Sequence, residues 1–289
     1  MSLPADAQMT PPPRVTGAGG ADSLFDLTGR ITVVTGGTRG LGRAIVGAYA
    51  RAGAQVVVVS RKPEACEAVA AELRASGGTA VGRPCHVGHW AELAPLADRI
   101  YGEFGRIDVL VNNAGISPRY GRLSDVSEEQ WDKVIAVNLK GPFRLSALVG
   151  ERMAAVQGDG EAGGGSIINV SSTGAVRPTA DIVPYAAAKA GLHAMTAGLA
   201  DALGPTVRVN AIMPGPFLTS IARDWDMGLL ARRTAAHPLR RAGQGDEIVG
   251  AALYFASDAS SFTTGAVLAV DGGAQWGVPG ADGIARLPS

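Results

Sequence analysis

The sequence has only two cysteines, Cys66 and Cys85, in 289 residues. A chain of that length needs no disulfide staples, so the thiols are expected free and the compartment is expected to be the reducing cytoplasm. There is no charge imbalance either, with 26 Lys plus Arg against 26 Asp plus Glu. That balance argues against an electrostatic grip on nucleic acid or on an anionic bilayer. Long apolar runs are also missing: "AQVVVV" has the length of an interior strand and falls short of the roughly 20 residues of a membrane span. No signal-like apolar run stands near the start. His86 and His89 lie close together in "PCHVGHW", but no third ligand is near, so no metal is expected. Residues 1–23 are rich in Pro, Gly, Ala and Ser with few large apolar side chains, which reads as a flexible tail. Residues 277–289 read as an irregular C-terminal tail.

What is present is a globular composition, 46% apolar and 18% charged. From residue 24 short β-branched runs ("ITVVT", "QVVVVS", "IDVLVN", "SIINVSS", "VRVNAI", "AVLAV") alternate with longer helix-like stretches. Alternation of this kind predicts βαβ units and a parallel sheet. The runs are continuously apolar, as in strands covered on both faces. Counted from Ile31, they predict an α/β fold of Rossmann type: a doubly wound, seven-stranded parallel sheet in one domain over residues 24–276. The stretch "QGDGEAGGG", 157–165, reads as a loop before the fifth strand.

In "ITVVTGGTRGLGRAIVGAYARAG" a strand, a glycine turn and an amphipathic helix follow one another, with Gly36, Gly40 and Gly42 spaced G-x-x-x-G-x-G. Such glycines let the backbone approach a pyrophosphate, and the free N–H groups of the next helix attract its charge. A plain glycine-rich βα turn would read the same in isolation; its place on the first strand of a doubly wound sheet favours binding. An acidic residue about 20 positions further on commonly holds the ribose of NAD. This chain has Ser60 and Arg61 there, and Arg39 lies within the turn. Two cations without a carboxylate favour the 2′-phosphate, hence NADP(H) over NAD(H).

The strings "TGGTRGLG", "NNAG" (112–115), "VNLKG" (137–141), "VSS" (170–172), "YAAAK" (185–189) and "PGPFLT" (214–219) occur in an order that resembles the short-chain dehydrogenases/reductases. The likeness covers residues 24–276. It implies a hydride transfer between nicotinamide and a small-molecule carbonyl or secondary alcohol. Tyr185 would be the proton donor or acceptor, Lys189 its helper and ribose ligand, and Ser172 the group holding the substrate oxygen. Asn138 would anchor a water linking Lys189 to solvent. Ser171 is left a structural role. The likeness further implies cofactor contacts from Gly36, Thr38, Arg39, Gly40, Leu41, Gly42, Ser60, Arg61, Asn112, Ala114, Gly115, Tyr185, Lys189, Pro214, Gly215 and Thr219, with Asn112 also supporting the sheet. His86 stands where the family often has an aspartate that accepts from the adenine amino group, a departure that leaves adenine recognition open; a neutral imidazole could replace the carboxylate as acceptor only in the right tautomer.

A separation of four residues places Tyr185 and Lys189 on one helix face, about 6 Å apart along the axis. The ammonium is expected to lower the phenol's pKa toward the working range of an acid–base catalyst. Residues 216–243 resemble the family's variable substrate cover. Arg119, Arg232 and Arg233 are candidate contacts to an acidic substrate, and Trp225 and Leu229 a candidate apolar lid. Candidate substrates are a sugar acid, a 3-oxoacyl thioester or a cyclic alcohol. The resemblance also implies a homotetramer, or a homodimer, built on the helix from about 128 to 152, the helix of Tyr185 and the "TGAVLAVDGG" strand. The rival expectation is a catalytically silent dinucleotide sensor of the same fold.

Overall fold

The computed structural model describes residues 24–155, 164–219 and 227–276. The expected tails, 1–23 and 277–289, lie outside the described residues, as do most of the expected loop at 157–165, Trp225, and the side chains of Leu229 and Arg233.

In chain order the sheet strands and long helices are β1 (Ile31–Thr35), α1 (Gly40–Arg51), β2 (Gln55–Ser60), α2 (Pro63–Ala75), β3 (Thr79–Pro84) and α3 (Trp90–Phe104). They continue with β4 (Val109–Asn112), α4 (Glu128–Ile135), α5 (Gly141–Ala155), β5 (Gly165–Val170), α6 (Val183–Leu203) and β6 (Val207–Pro214). After these come β7 (Phe217–Leu218), α7 (Met227–Ala235), β8 (Gly243–Gln244), α8 (Val249–Ala256) and β9 (Val267–Val270). Local chemistry sets several of the boundaries. Pro63 opens α2, where its missing N–H costs nothing. Gly105, at φ 76°, closes α3 in the left-handed region. The Ser127 hydroxyl accepts from the Gln130 N–H at 3.1 Å and caps α4.

Seven strands form one parallel sheet in the order β3-β2-β1-β4-β5-β6-β9. This is the seven-stranded doubly wound sheet expected. Successive side chains of a strand point to opposite faces. Val34, Val56 and Val58 accordingly pack with Ile45 and Tyr49 of α1, Leu73 of α2 and Phe255 of α8. Val33, Val57 and Val59 pack on the other face, in the cluster that holds Leu96 of α3, Leu145 of α5 and Leu199 of α6. Both faces are covered, and so the strands lack a polar stripe. Each fully buried Val, Leu or Ile contributes about 1.5–3 kcal/mol by leaving water.

Two features depart from the expectations. The helix read as running from about 128 to 152 is two helices joined by a π turn, Ala136–Lys140, which carries Asn138. Beyond the main sheet, β7 and β8 make a small parallel pair. Among the described residues, no helix is long and apolar enough to cross a membrane, and no group of His, Cys, Asp and Glu could hold a metal. Cys66 and Cys85 are free and buried.

A buried polar ladder fixes α6 against the sheet. The Asn112 amide donates to Ser146 of α5 and to the Asn169 carbonyl oxygen, both at 2.9 Å. Asn169 of β5 in turn donates to the Thr196 hydroxyl of α6 at 2.9 Å, and Thr196 donates to the Leu192 carbonyl at 2.8 Å. Replacing Asn169 with Leu leaves one Asn112 N–H and the Thr196 acceptor without partners, which costs about 2–3 kcal/mol. Urea unfolding of Asn169→Leu is expected to show that loss; an unchanged midpoint would mean that the ladder does not hold α6.

Candidate active site

The strand order reverses between β1 and its neighbours β2 and β4, and the crevice outside the strand ends at such a point is where ligands bind in sheets of this kind. A cavity of about 1350 Å³ opens there, lined by residues at or just beyond the C-terminal ends of β1 (Gly36), β2 (Ser60), β3 (Cys85), β4 (Asn113), β5 (Ser171) and β6 (Pro214).

The glycine turn forms one wall. Gly36 and Gly40 have φ of 67° and 58°, conformations that L side chains rarely adopt. Gly42 faces the turn itself: a Cβ there would lie 2.3 Å from the Gly36 carbonyl oxygen and 2.4 Å from the Asn113 amide nitrogen. Gly36, Thr38, Arg39, Gly40 and Leu41 line the cavity, whereas Gly42 shapes it from behind. Arg39 caps α1 with extended backbone, next to the helix's free N–H groups. The Thr38 hydroxyl donates to Ser60 at 3.1 Å, tying the turn to the end of β2, and Arg61 and Lys62 follow on the same wall. A backbone with no room for a Cβ, a helix N-terminus and three cations fit a phosphorylated dinucleotide.

At the end of β4 the structure corrects one assignment. Asn112, expected to touch the cofactor as well as support the sheet, is buried in the polar ladder and does not line the cavity. The next residue lines it instead. Asn113 donates to the Thr35 and Gly36 carbonyls at 2.9 and 3.2 Å, and the Thr35 hydroxyl accepts the N–H groups of Asn113 and Ala114. Ala114 and Gly115 continue the wall as expected.

Ser172, Tyr185 and Lys189 face the same space. Both Ser171 and Ser172 reach the lining, but Ser171 is buried and its hydroxyl pairs with His193 Nε2 at 2.6 Å. The Ser172 oxygen accepts the Gly174 N–H at 3.0 Å, which leaves the hydroxyl proton free to be donated. Lys189 is buried; its ammonium donates to the Val170 carbonyl at 2.7 Å and lies 5.7 Å from the centre of the Tyr185 ring. Burial brings its pKa down to about 8. For Tyr185 the shift runs against the expected lowering: burial raises the phenol's pKa, and a hydrogen bond from Ser172 offsets only part of the rise.

Asn138 spends most of its amide on backbone. It donates to the Ile116 and Val134 carbonyls, both at 2.9 Å, and accepts the Ile116 N–H at 3.2 Å. One lone pair of Oδ1 remains for a water. A Cβ on Gly115 would sit 2.9 Å from that oxygen and 3.8 Å from the Lys189 nitrogen, so glycine separates the two side chains.

Pro214, Gly215 and Thr219 also line the cavity, and Thr219 reaches the glycine turn, 3.7 Å from where a Cβ on Gly40 would lie. Arg119 and Arg232 reach the lining as well. Arg177, His237 and Arg240 also line the cavity, although nothing in the sequence singled them out. His237 Nδ1 is buried without a hydrogen-bond partner, and Arg240 is the one non-glycine residue with positive φ, 53°, among the described residues. The described lining holds nine Arg and Lys side chains and a single carboxylate, Asp181.

Comparison with known proteins agrees with this geometry. A family model described as enoyl-(acyl carrier protein) reductase matches residues 36–275. D-threitol dehydrogenase of Mycolicibacterium smegmatis is 39% identical over 254 residues, 87% of this chain and 95% of that protein. The human dehydrogenase/reductase SDR family member 4 is 34% identical over 250 residues, 86% of this chain and 88% of its own length. A gluconate 5-dehydrogenase from Burkholderia cenocepacia, solved with NADP and tartrate, superposes with a TM-score of 0.83 at 33% identity, covering 90% of this chain and all of the other. With sheet, cavity and relatives in agreement, the chain belongs to the short-chain dehydrogenase/reductase family of oxidoreductases.

Proposed function

We propose that this oxidoreductase uses NADP(H) to interconvert a carbonyl compound and a secondary alcohol, with Tyr185 as general acid and base on a single domain over residues 24–276. The observation that carries the reading is that Ser172, Tyr185 and Lys189 share one cavity with the glycine turn and its cations. The dinucleotide, held by Gly36, Thr38, Arg39, Gly40, Leu41, Ser60 and Arg61, supplies or accepts the hydride. Everything else is done by this chain's side chains.

In reduction the substrate oxygen gains negative charge, and Ser172 and Tyr185 both present O–H donors to it. Burial raises the phenol's pKa, which favours the protonated form that an acid needs. Once the proton has left, the phenolate is stabilised by the Lys189 ammonium, which lies 5.7 Å from the centre of the ring. Oxidation runs the same path backwards, with phenolate as base. The intact set of Ser172, Tyr185 and Lys189 in one cavity argues against a silent sensor. The named activities of the relatives, on threitol and gluconate, support a polyol or sugar-acid substrate. The cationic lining favours the acid, with Arg119 and Arg232 as contacts.

We place the protein in the cytoplasm as a homotetramer. Val267 and Leu268 of edge strand β9 are over a third exposed, which suits a contact between copies.

Tyr185→Phe is expected to lower turnover by about 10²–10⁴-fold while NADPH still binds, read from reduced-nicotinamide absorbance with a panel of polyols and sugar acids. Turnover at the wild-type rate would remove the phenol from the mechanism. In the oxidative direction only phenolate accepts the proton, so the rate rises with pH. Lys189→Met removes the cation that favours phenolate and should move that rise to higher pH; a profile left in place would deny the lysine its part. Arg39→Ala combined with Arg61→Ala should weaken NADPH binding by about tenfold or more and leave NADH binding nearly unchanged, as equilibrium titration would reveal. An equal loss for both dinucleotides would end the case for 2′-phosphate recognition.

A further inference from the structure

His86 lines the cavity at the wall shared by Ser60, Arg61, Lys62 and Ala65. In a doubly wound sheet the pyrophosphate lies at the turn after the first strand and the ribose beside the end of the second. A residue just past β3, the next strand outward, therefore meets the base.

The imidazole there is not free to choose its proton. The Gly88 N–H donates to His86 Nδ1 at 3.1 Å, so that nitrogen must carry a lone pair. The hydrogen of the neutral ring then sits on Nε2. The ring's setting is equally constrained. Glu92 Oε2 accepts the His86 backbone N–H at 2.9 Å, and Oε1 pairs with His89 Nδ1 at 2.7 Å. The His89 N–H returns to the His86 carbonyl at 2.8 Å, and the two rings stack with centroids 4.1 Å apart. Glycine at position 88 is required by this packing, because a Cβ there would lie 3.0 Å from His86 Cε1 and 2.9 Å from Val137. Glu92 is committed to these two bonds and does not line the cavity. Asp181, the one carboxylate among the described lining residues, belongs to the loop before α6.

We propose that His86 presents a fixed N–H donor to the purine of the dinucleotide, so that this protein reads the acceptor edge of the base and takes a 6-oxopurine dinucleotide as readily as the adenine form. This rests on the assignment of a dinucleotide to the cavity. Adenine and hypoxanthine both offer the N7 lone pair as an acceptor at the same position, flanked by the amino group in adenine and by a carbonyl oxygen in hypoxanthine. A donor satisfies either one, whereas an acceptor would pair with adenine's amino group and repel the carbonyl. An imidazole acceptor would need the tautomer that the Gly88 N–H excludes.

The test is fluorescence titration of the full chain with NADPH and with its reduced hypoxanthine analogue. The two dissociation constants of the wild type should differ by less than about fivefold, and His86→Asp, which exchanges donor for acceptor, should move their ratio at least about fivefold toward the adenine form. A larger preference of the wild type for adenine, or a ratio unmoved by His86→Asp, overturns the proposal. Should the variant misfold, ¹⁵N NMR of histidine-labelled wild type reads the tautomer directly, and the chain has only four histidines to assign. Hydrogen on Nε2 of His86 is the expected result; hydrogen on Nδ1 refutes it. Binding of neither dinucleotide defeats the functional reading itself, while binding of both in the wrong ratio defeats only the role of His86.

Discussion

The structure depends on one buried bond, from the Lys189 ammonium to the Val170 carbonyl. A charge taken out of water costs several kcal/mol even after the surroundings relax, and here burial brings the pKa down to about 8. A carbonyl dipole at the end of β5 recovers part of that cost only if α6 lies directly against the strand. That constraint fixes where Tyr185, one turn earlier on α6, and Ser172, two residues past the strand, can stand. The positions of these side chains follow from the need to solvate an ammonium without water.

Around that bond the sheet is registered by polar contacts, since valines on both faces would slide as readily as they pack. The ladder from Asn112 through Asn169 to Thr196 ties β4, β5 and α6 together beneath the cavity. Thr35 performs the same task one strand over, where its hydroxyl takes the first two N–H groups after β4 and donates to Val111. The glycine turn is thereby held against the "NNAG" segment, and Gly42 allows the close approach. Apolar packing supplies the stability, and these few polar bonds determine which arrangement is stable.

The sheet was legible because burial on both faces leaves a direct trace, an uninterrupted run such as "QVVVVS". Parallel pairing of two residues with two others, as in β7 and β8, leaves no such trace. The π turn at Ala136–Lys140 was hidden because its residues are ordinary helix formers. At the site, residue types in order singled out Ser172, Tyr185, Lys189 and the glycine turn, which share one cavity, but the two asparagines of "NNAG" could not be told apart without knowing where β4 ends. Asn112 is its last residue and points into the sheet; Asn113 lies past it and reaches the cavity. The direction of the Tyr185 shift was misread for a related reason. Spacing along a helix reports proximity to an ammonium, while desolvation depends on everything else packed around the ring. Arg177 and His237 come from loops whose meeting is a matter of tertiary structure alone.

The described lining of the cavity carries nine cations and one carboxylate in a chain with no formal net charge. Such a lining puts a positive field in the cleft. A polyanion diffusing nearby is turned and drawn in before contact, and its capture slows as added salt shortens the reach of the field to about 8 Å at physiological ionic strength.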